Sequence, residues 1–80
     1  MRFRVKIAGT HAEIHEIVQR GLVPPYMWNS ASRYEDDQLG PVIEINETAP
    51  GQIGTYSVQA HRDPRHKVPV VSAAAVLGRE

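Results

Sequence analysis

Residues 2–22 constrain the fold most, because they combine an alternating segment, a helix start and a helix end. Apolar and basic side chains alternate through residues 2–7, a pattern that places the two kinds on opposite faces of a β-strand. The apolar set is Phe3, Val5 and Ile7, and the basic set is Arg2, Arg4 and Lys6. We therefore expect a first strand that buries one face.

A helix is predicted after this strand, and the sequence marks both of its ends. Thr10 and Glu13 have the spacing of a capping box, in which each side chain accepts a hydrogen bond from the other residue's backbone N–H. The apolar residues at helical spacing are Ile14, Ile17 and Val18. Gly21 suits the left-handed position after the last turn, and Leu22 is placed to pack back on the helix. We predict a helix from His11 to about Arg20.

The composition limits the classes of function. A chain of 80 residues predicts one domain, 1–80. A domain of this size buries a smaller share of its surface than a large domain does and gains from self-association. A formal net charge of zero argues against a protein that binds polyanions over its whole surface. The chain has no cysteine, which excludes disulfides, thiolate metal sites and cysteine nucleophiles.

The sequence also indicates where the protein is located. The first strand carries three cations and lacks the apolar region of a signal peptide. The longest apolar run, residues 68–77, is too short to cross a bilayer and contains Pro69. We expect a soluble, cytoplasmic protein with no membrane partner.

Residues 23–40 are the hardest to assign, since irregular stretches of this length are uncommon in small domains. Residues that precede proline avoid the α region, which predicts an extended backbone over Pro24–Trp28. Ser32 and Glu35 repeat the capping-box spacing, and a Gly-Pro pair follows that would end a helix. We therefore predict a short second helix from Arg33 to Leu39.

Two further strands are predicted after this short helix. Residues Pro41–Glu47 and Gly54–His61 both alternate apolar and polar side chains, and a turn signal at residues 49–51 separates them. We expect the two strands to form an antiparallel hairpin, although a connection of this length does not fix its register.

The C-terminal segment allows three interpretations. Lys67–Val71 is rich in β-branched residues, but Pro69 lacks an N–H donor and favours an edge position. Ser72 can then cap a short helix over Ala73–Leu77 that ends at Gly78. The alternatives are one helix from Pro69 or one long strand.

These elements together predict an α+β domain. Their order is β-α-(α)-β-β-β, with a short C-terminal helix in one interpretation. A strand with one apolar face and a helix with one apolar stripe must cover each other or a common neighbour. We therefore expect a small antiparallel sheet with one main helix packed on one face.

His11 and His15 are the strongest candidates for metal ligands, because side chains four residues apart lie on one side of a helix. A further ligand would have to come from His61, His66 or an acidic side chain. The segment HAEIH lacks the glutamate position of the HExxH motif, and two surface histidines are the commoner interpretation. We predict no metal and no cofactor.

The sequence contains no arrangement that is typical of catalysis. The serines have no nucleophile-elbow motif around them. Gly51 and Gly54 lack the lysine of a phosphate-binding loop and suit a turn. The acidic pairs lie where solvated side chains are expected. We therefore predict that the chain is not an enzyme.

Aromatic and acidic residues concentrate in one segment, which predicts a protein-binding surface. Trp and Tyr are the usual anchors of protein interfaces, and a run of carboxylates steers a basic partner. The candidate residues are Tyr26, Met27, Trp28, Tyr34, Glu35, Asp36 and Asp37. The alternative for Trp28 is that it closes one end of the core.

The leading hypothesis is a small non-catalytic protein-binding module that acts on another protein by steric or electrostatic contact. Inhibitors and regulatory proteins, including phage-type anti-defence (anti-CRISPR-like) proteins, are often chains of this size. A homodimer is a further expectation, because self-association would bury more apolar surface.

The alternative hypothesis is a small nucleic-acid-binding or nucleoprotein-associated domain. Its basic residues would contact phosphates if the first strand and a later loop lie side by side. These residues are Arg2, Arg4, Lys6, Arg62, Arg65 and Lys67. The small number of aromatic residues and the lack of a stacking pair on a strand argue against this alternative.

Overall fold

A computed structural model of the chain describes residues 3–47, 51–57 and 68–79. The helices in these ranges are α1 (His11–Gln19), a 3-10 helix (Pro25–Ser30) and α2 (Ala73–Val76). The strands are β1 (Phe3–Ala8), β2 (Ala31–Asp36), β3 (Gly40–Glu47), β4 (Gln52–Ile53), β5 (Tyr56–Ser57) and β6 (Val70–Ser72). Four strands form one sheet in the order β2-β3-β1-β6, and β4 pairs with β5, so the described residues form a small α+β fold, as predicted. None of the helices in these ranges has the length and apolar character needed to cross a membrane.

Strand β1 lies between β3 and β6 and pairs with both. It is antiparallel to β3, with Val5 opposite Ile45 and Ile7 opposite Ile43. It is parallel to β6, with Ile7 opposite Val71. The sheet is therefore mixed, and the prediction of a purely antiparallel sheet is wrong. A parallel neighbour needs a long crossover connection, which the chain between β1 and β6 is long enough to supply.

One face of this sheet carries the hydrophobic core. The four paired residues of β1 and β3 named above are fully buried there. The other elements add further buried side chains to the same cluster, among them Ile14, Ile17, Met27, Ile53 and Val76. Full burial of one such aliphatic side chain contributes about 1.5–3 kcal/mol. The two α-helices, the 3-10 helix and β4 therefore all pack against the same face of the sheet and stabilise it.

Helix α1 has the start and the end that the sequence predicts. The Glu13 N–H donates to the Thr10 Oγ1 (3.1 Å), and the Thr10 N–H donates to the Glu13 Oε1 (2.9 Å), which completes the capping box. At the other end, Gly21 has φ +63° and the Leu22 N–H donates to the Ile17 carbonyl (3.1 Å), as in a Schellman motif. The predicted helix is confirmed, with its last residue one position earlier.

The segment before β2 departs from the predicted structure. The extended backbone predicted for Pro24–Trp28 is confirmed at Pro24 (φ −58°, ψ 145°) and wrong from Pro25 on. A 3-10 helix begins at Pro25, and the Met27 N–H donates to the Pro24 carbonyl (3.0 Å). Proline fits the first helical position, since the N–H that it lacks would have no helical partner there. The Met27 side chain is fully buried as a result.

The short helix predicted from Arg33 to Leu39 is also wrong, because β2 and a turn occupy these residues. Strand β2 pairs with β3 along its whole length, from Ala31 opposite Ile45 to Asp36 opposite Gly40. A local capping pair contributes only about 1 kcal/mol. The ladder of backbone hydrogen bonds to β3, at about 0.5–1.5 kcal/mol each, outweighs it.

The predicted hairpin of residues 41–47 with 54–61 is wrong for residues 54–57, because β3 pairs with β2 and β1 instead. Strand β5 folds back on β4, with Ile53 opposite Tyr56. Gly54, at φ +60°, suits the two-residue turn between these strands. Residues 58–61 of the predicted strand lie outside the described ranges.

The C-terminal segment divides into a strand and a short helix, which is one of the three interpretations that the sequence allows. Strand β6 lies at an edge of the sheet, as the position of Pro69 predicts. The Ala74 N–H donates to the Ser72 Oγ (3.1 Å) at the start of α2, so the predicted cap is confirmed. The predicted first residue of the strand, Lys67, lies outside the described ranges.

Gly54→Ala is expected to destabilise the fold more than the control Gly21→Ala. Both positions have a positive φ, where alanine costs about 1–2 kcal/mol. A Cβ at position 54 would also lie 2.2 Å from the Val76 carbonyl oxygen, whereas nothing lies within 4 Å of a Cβ at position 21. Such overpacking adds about 1–3 kcal/mol to the loss in free energy of unfolding, measurable by chemical denaturation. Equal losses in the two variants would contradict the packing of the β4–β5 turn against α2.

Candidate protein-binding surface

Strand β2 is an edge strand with an exposed surface. Its residues Ser32, Arg33, Tyr34 and Glu35 are all exposed. Among the described residues, β3 is the only strand that pairs with it. An edge strand presents unpaired backbone N–H and C=O groups along its outer side, and these can pair with another strand. The side chains of Ser32 and Tyr34 lie on one face of β2, and those of Arg33 and Glu35 lie on the other.

The predicted aromatic and acidic cluster is divided between the two ends of β2. Tyr26 (44% exposed) and Trp28 (38% exposed) lie on the 3-10 helix that leads into the strand. Asp36 and Asp37 lie at its far end, where β2 turns into β3. Five residue steps along a strand span about 16 Å. The two groups therefore flank β2 and do not form one patch.

Met27 does not belong to this surface, although the sequence analysis includes it there. Its side chain is fully buried in the core. Trp28, the residue for which a core position is the alternative, is partly exposed instead. The 3-10 helix turns the Met27 side chain inward, while the neighbouring Tyr26 and Trp28 side chains remain partly exposed.

Tyr34 belongs to a network of charged residues on the sheet face opposite the core, which we call the polar face. Its hydroxyl donates to the Glu44 Oε1 of β3 (2.6 Å), and Glu44 also pairs with Arg4 of β1 (3.6 Å). The Lys6 Nζ donates to the Asp36 Oδ2 (3.2 Å) and lies 5.9 Å from the centre of the Tyr34 ring. Cross-strand pairs of this kind hold neighbouring strands together. The network therefore links β1, β2 and β3 and fixes the Tyr34 side chain.

The hydrogen bonds of the network shift the pKa values of its members. The hydrogen bond to Glu44 raises the pKa of Tyr34, and the hydrogen bond to Asp36 raises the pKa of Lys6. The backbone N–H groups of Gln38 and Leu39 lower the pKa of Asp36, and Lys6 lowers it further. Asp36 is therefore a turn-forming and strand-linking carboxylate, and its charge is already paired within the chain.

The basic residues of the nucleic-acid alternative are only partly described. Arg4 and Lys6, the two that lie in the described ranges, each pair with a carboxylate on the polar face. Such neutralised cations add little attraction for phosphates. The others lie outside the described residues: Arg2, Arg62, Arg65 and Lys67.

The first residue of α1, His11, contacts strand β2 at Glu35. The His11 Nε2 contacts the Glu35 Oε1, and both side chains are exposed. A shallow depression of about 260 Å³ lies beside this contact, and its lining residues are His11, Arg33, Tyr34, Glu35 and Pro41. Within the described part of the chain, no three histidine or acidic side chains are placed to hold a metal ion, and His61 and His66 lie outside it.

Arg33 is a residue of this surface that the sequence analysis does not single out. It is exposed, and it makes no ion pair with the described residues. The assignment of residues 33–39 to a helix hides its position. No alternation of apolar and polar residues in ASRYED marks this segment as a strand, and only the pairing with β3 places Arg33 and Glu35 on one face.

Comparison of the chain with models of protein families, with curated proteins and with solved structures gives no match. The function is therefore inferred from the geometry of β2 and the residues around it.

Asp36→Asn is expected to change how the free energy of unfolding depends on pH. The pKa of Asp36 is lowered in the folded state, so its carboxylate stabilises the fold above the ordinary pKa of 3.8. This contribution is lost as the pH falls from that value through the lower folded-state pKa. The wild type should therefore exceed the variant in stability at neutral pH, and the difference should shrink below about pH 4.

Asp37→Asn is the matched control for this experiment, and denaturation in urea at each pH is the measurement. The Asp37 carboxylate makes no hydrogen bond or ion pair with the described residues, so its removal should leave the pH dependence unchanged. If the two variants have the same pH dependence, Asp36 does not have the turn and ion-pair role described above.

Proposed function

We propose that this chain is a non-catalytic module that binds another protein through β2 and the 3-10 helix before it. The observation that carries the proposal is the run of exposed residues on an edge strand, Ser32 to Glu35. An extended segment of a partner can add to such an edge, where backbone hydrogen bonds supply affinity and alternate side chains supply specificity.

The exposed aromatic residues at the start of β2 provide the anchors. Large aromatic side chains carry much of the binding energy in protein interfaces, because they bury large areas with few rotatable bonds. Tyr26 and Trp28 lie on the 3-10 helix that leads into the strand, and both are partly exposed. A partner strand that pairs along β2 and continues past its first residue would reach them. The backbone edge and the aromatic anchors are therefore parts of one proposed surface.

The charges of the surface favour a partner with mixed charges. Arg33 is an exposed cation without an ion pair among the described residues, while Glu35 and Asp37 are exposed carboxylates. A partner strand with a carboxylate opposite Arg33 and cations opposite Glu35 and Asp37 would match them, because opposite charges across a strand pair are favourable and like charges are unfavourable. The sequence predicts an acidic surface that attracts a basic partner. With Arg33 included, the proposed surface carries both positive and negative charges.

Inhibition or regulation by occupation of a partner's surface is the mode of action that we propose. A module of this kind needs no catalytic group, since it acts by excluding other ligands. The phage-type anti-defence proteins suggested by the size of the chain would act in this way.

The double variant Tyr26→Ala/Trp28→Ala is expected to weaken partner binding at least about tenfold, because aromatic anchors each contribute about 2 kcal/mol or more. The measurement is affinity capture with the tagged chain, followed by titration of any captured protein against each variant. Val70→Ala is the matched control, since Val70 is 52% exposed and lies on β6 at the opposite edge of the sheet.

The control should bind as the wild type does, and thermal melts should show that all variants are folded. If the folded double variant binds captured partners as tightly as the wild type, the aromatic residues are not anchors and the proposed surface is wrong.

A further inference from the structure

We propose that the outer edge of β2 pairs with β2 of a second copy of this chain, in the antiparallel direction. The two four-stranded sheets would then form one continuous sheet across a two-fold axis. This inference rests on the proposed function, because it names the occupant of the β2 edge. The aromatic residues Tyr26 and Trp28 then lie at the two ends of the paired strands.

The other edge of the sheet is less suited to this pairing. Strand β6 has three residues and follows Pro69, which has no N–H to donate. Strand β2 has six residues and contains no proline. A longer edge offers more backbone hydrogen bonds, so β2 is the edge at which strand pairing is more favourable.

The symmetry of such a pair restricts its register. A two-fold axis perpendicular to the sheet makes one residue of β2 lie opposite its own copy. The registers that pair most of the strand are centred on Arg33 or Tyr34. A register centred on Arg33 places the guanidinium groups of the two copies opposite each other. A register centred on Glu35 places the two carboxylates opposite each other and also pairs fewer residues. Directly opposed like charges are destabilising, so the register centred on Tyr34 remains.

The register centred on Tyr34 is complementary in charge. It places Arg33 opposite Glu35 of the second copy, and by symmetry Glu35 opposite Arg33 of the second copy. Both side chains are exposed and lie on the same face of β2. Arg33 makes no ion pair with the described residues, and Glu35 contacts His11 through Oε1, which leaves Oε2 for a second partner. One strand therefore supplies both halves of two ion pairs.

The same register brings exposed apolar residues towards each other at both ends. Trp28 precedes β2 and is 38% exposed, while Leu39 follows it in the turn and is 37% exposed. In an antiparallel pair, the start of one β2 lies beside the end of the other. Trp28 of one copy therefore lies near Leu39 of the other. Dimerisation can then bury apolar surface beside the paired strands.

Charge reversal in β2 tests this register. Arg33→Glu replaces both Arg–Glu pairs with Glu–Glu pairs, and Glu35→Arg replaces them with Arg–Arg pairs. Each variant should self-associate at least about tenfold more weakly than the wild type, because two cross-strand pairs change from favourable to unfavourable. The double variant Arg33→Glu/Glu35→Arg restores opposite charges and should dimerise again.

An equimolar mixture of the two single variants provides the sharpest result. Every Glu of one variant then lies opposite an Arg of the other, so a heterodimer should form although neither variant self-associates. Sedimentation equilibrium from about 1 µM to about 1 mM covers the range of weak to moderate affinities. Arg20→Glu is the matched control, because Arg20 is exposed and follows the last residue of α1, whereas the first residue of α1, His11, is the one that contacts β2.

The control should dimerise as the wild type does. Dimerisation that neither single variant weakens would overturn the proposed register, and a wild type that is monomeric up to the highest concentration would overturn self-pairing altogether. If that monomer still captures a different protein through Tyr26 and Trp28, the proposed function stands and only the identity of the occupant is wrong.

Discussion

The buried pairing of β1 with β3 is the interaction on which the other elements depend. Val5 opposes Ile45 and Ile7 opposes Ile43, and all four side chains are fully buried on one face. A slip of one residue would turn this entire apolar set to the opposite face. The helices and β4 pack their buried side chains against this face, so the register of two strands determines where every other element can lie.

The exposed edge of β2 follows from this arrangement. With the core on one face, the opposite face carries polar pairs, in which Glu44 joins Arg4 to Tyr34 and Asp36 holds Lys6. These pairs place β2 firmly beside β3. Strand β6 takes the far side of β1, and β2 becomes the other end of the sheet. The surface that we propose for binding therefore results from the packing that places β2 at the end of the sheet.

The sequence predicts the elements that depend on nearby residues and misses those that depend on distant ones. The capping box of Thr10 and Glu13 and the cap at Ser72 are local, and both are confirmed. Ser32 and Glu35 show the same local spacing, yet their segment becomes a strand because its partner, β3, follows after a turn. The turn depends on Asp36, whose carboxylate accepts hydrogen bonds from the backbone N–H groups of Gln38 and Leu39. The sequence does not predict this role, because Asp36 lies in a run of acidic residues. Exposure is also non-local, since packing decides which of two adjacent side chains enters the core.

Hydrogen exchange of the β2 amides in dilute solution is the most direct test of the claim that β2 is an exposed edge strand. Alternate backbone N–H groups of an edge strand face its one neighbour, and those between them face outward. Amides of residues 31–36 should therefore alternate between slow and fast exchange along the strand. Slow exchange of every amide in this range, at a concentration where sedimentation shows a monomer, would contradict an exposed edge, because another part of the same chain would then have to cover it.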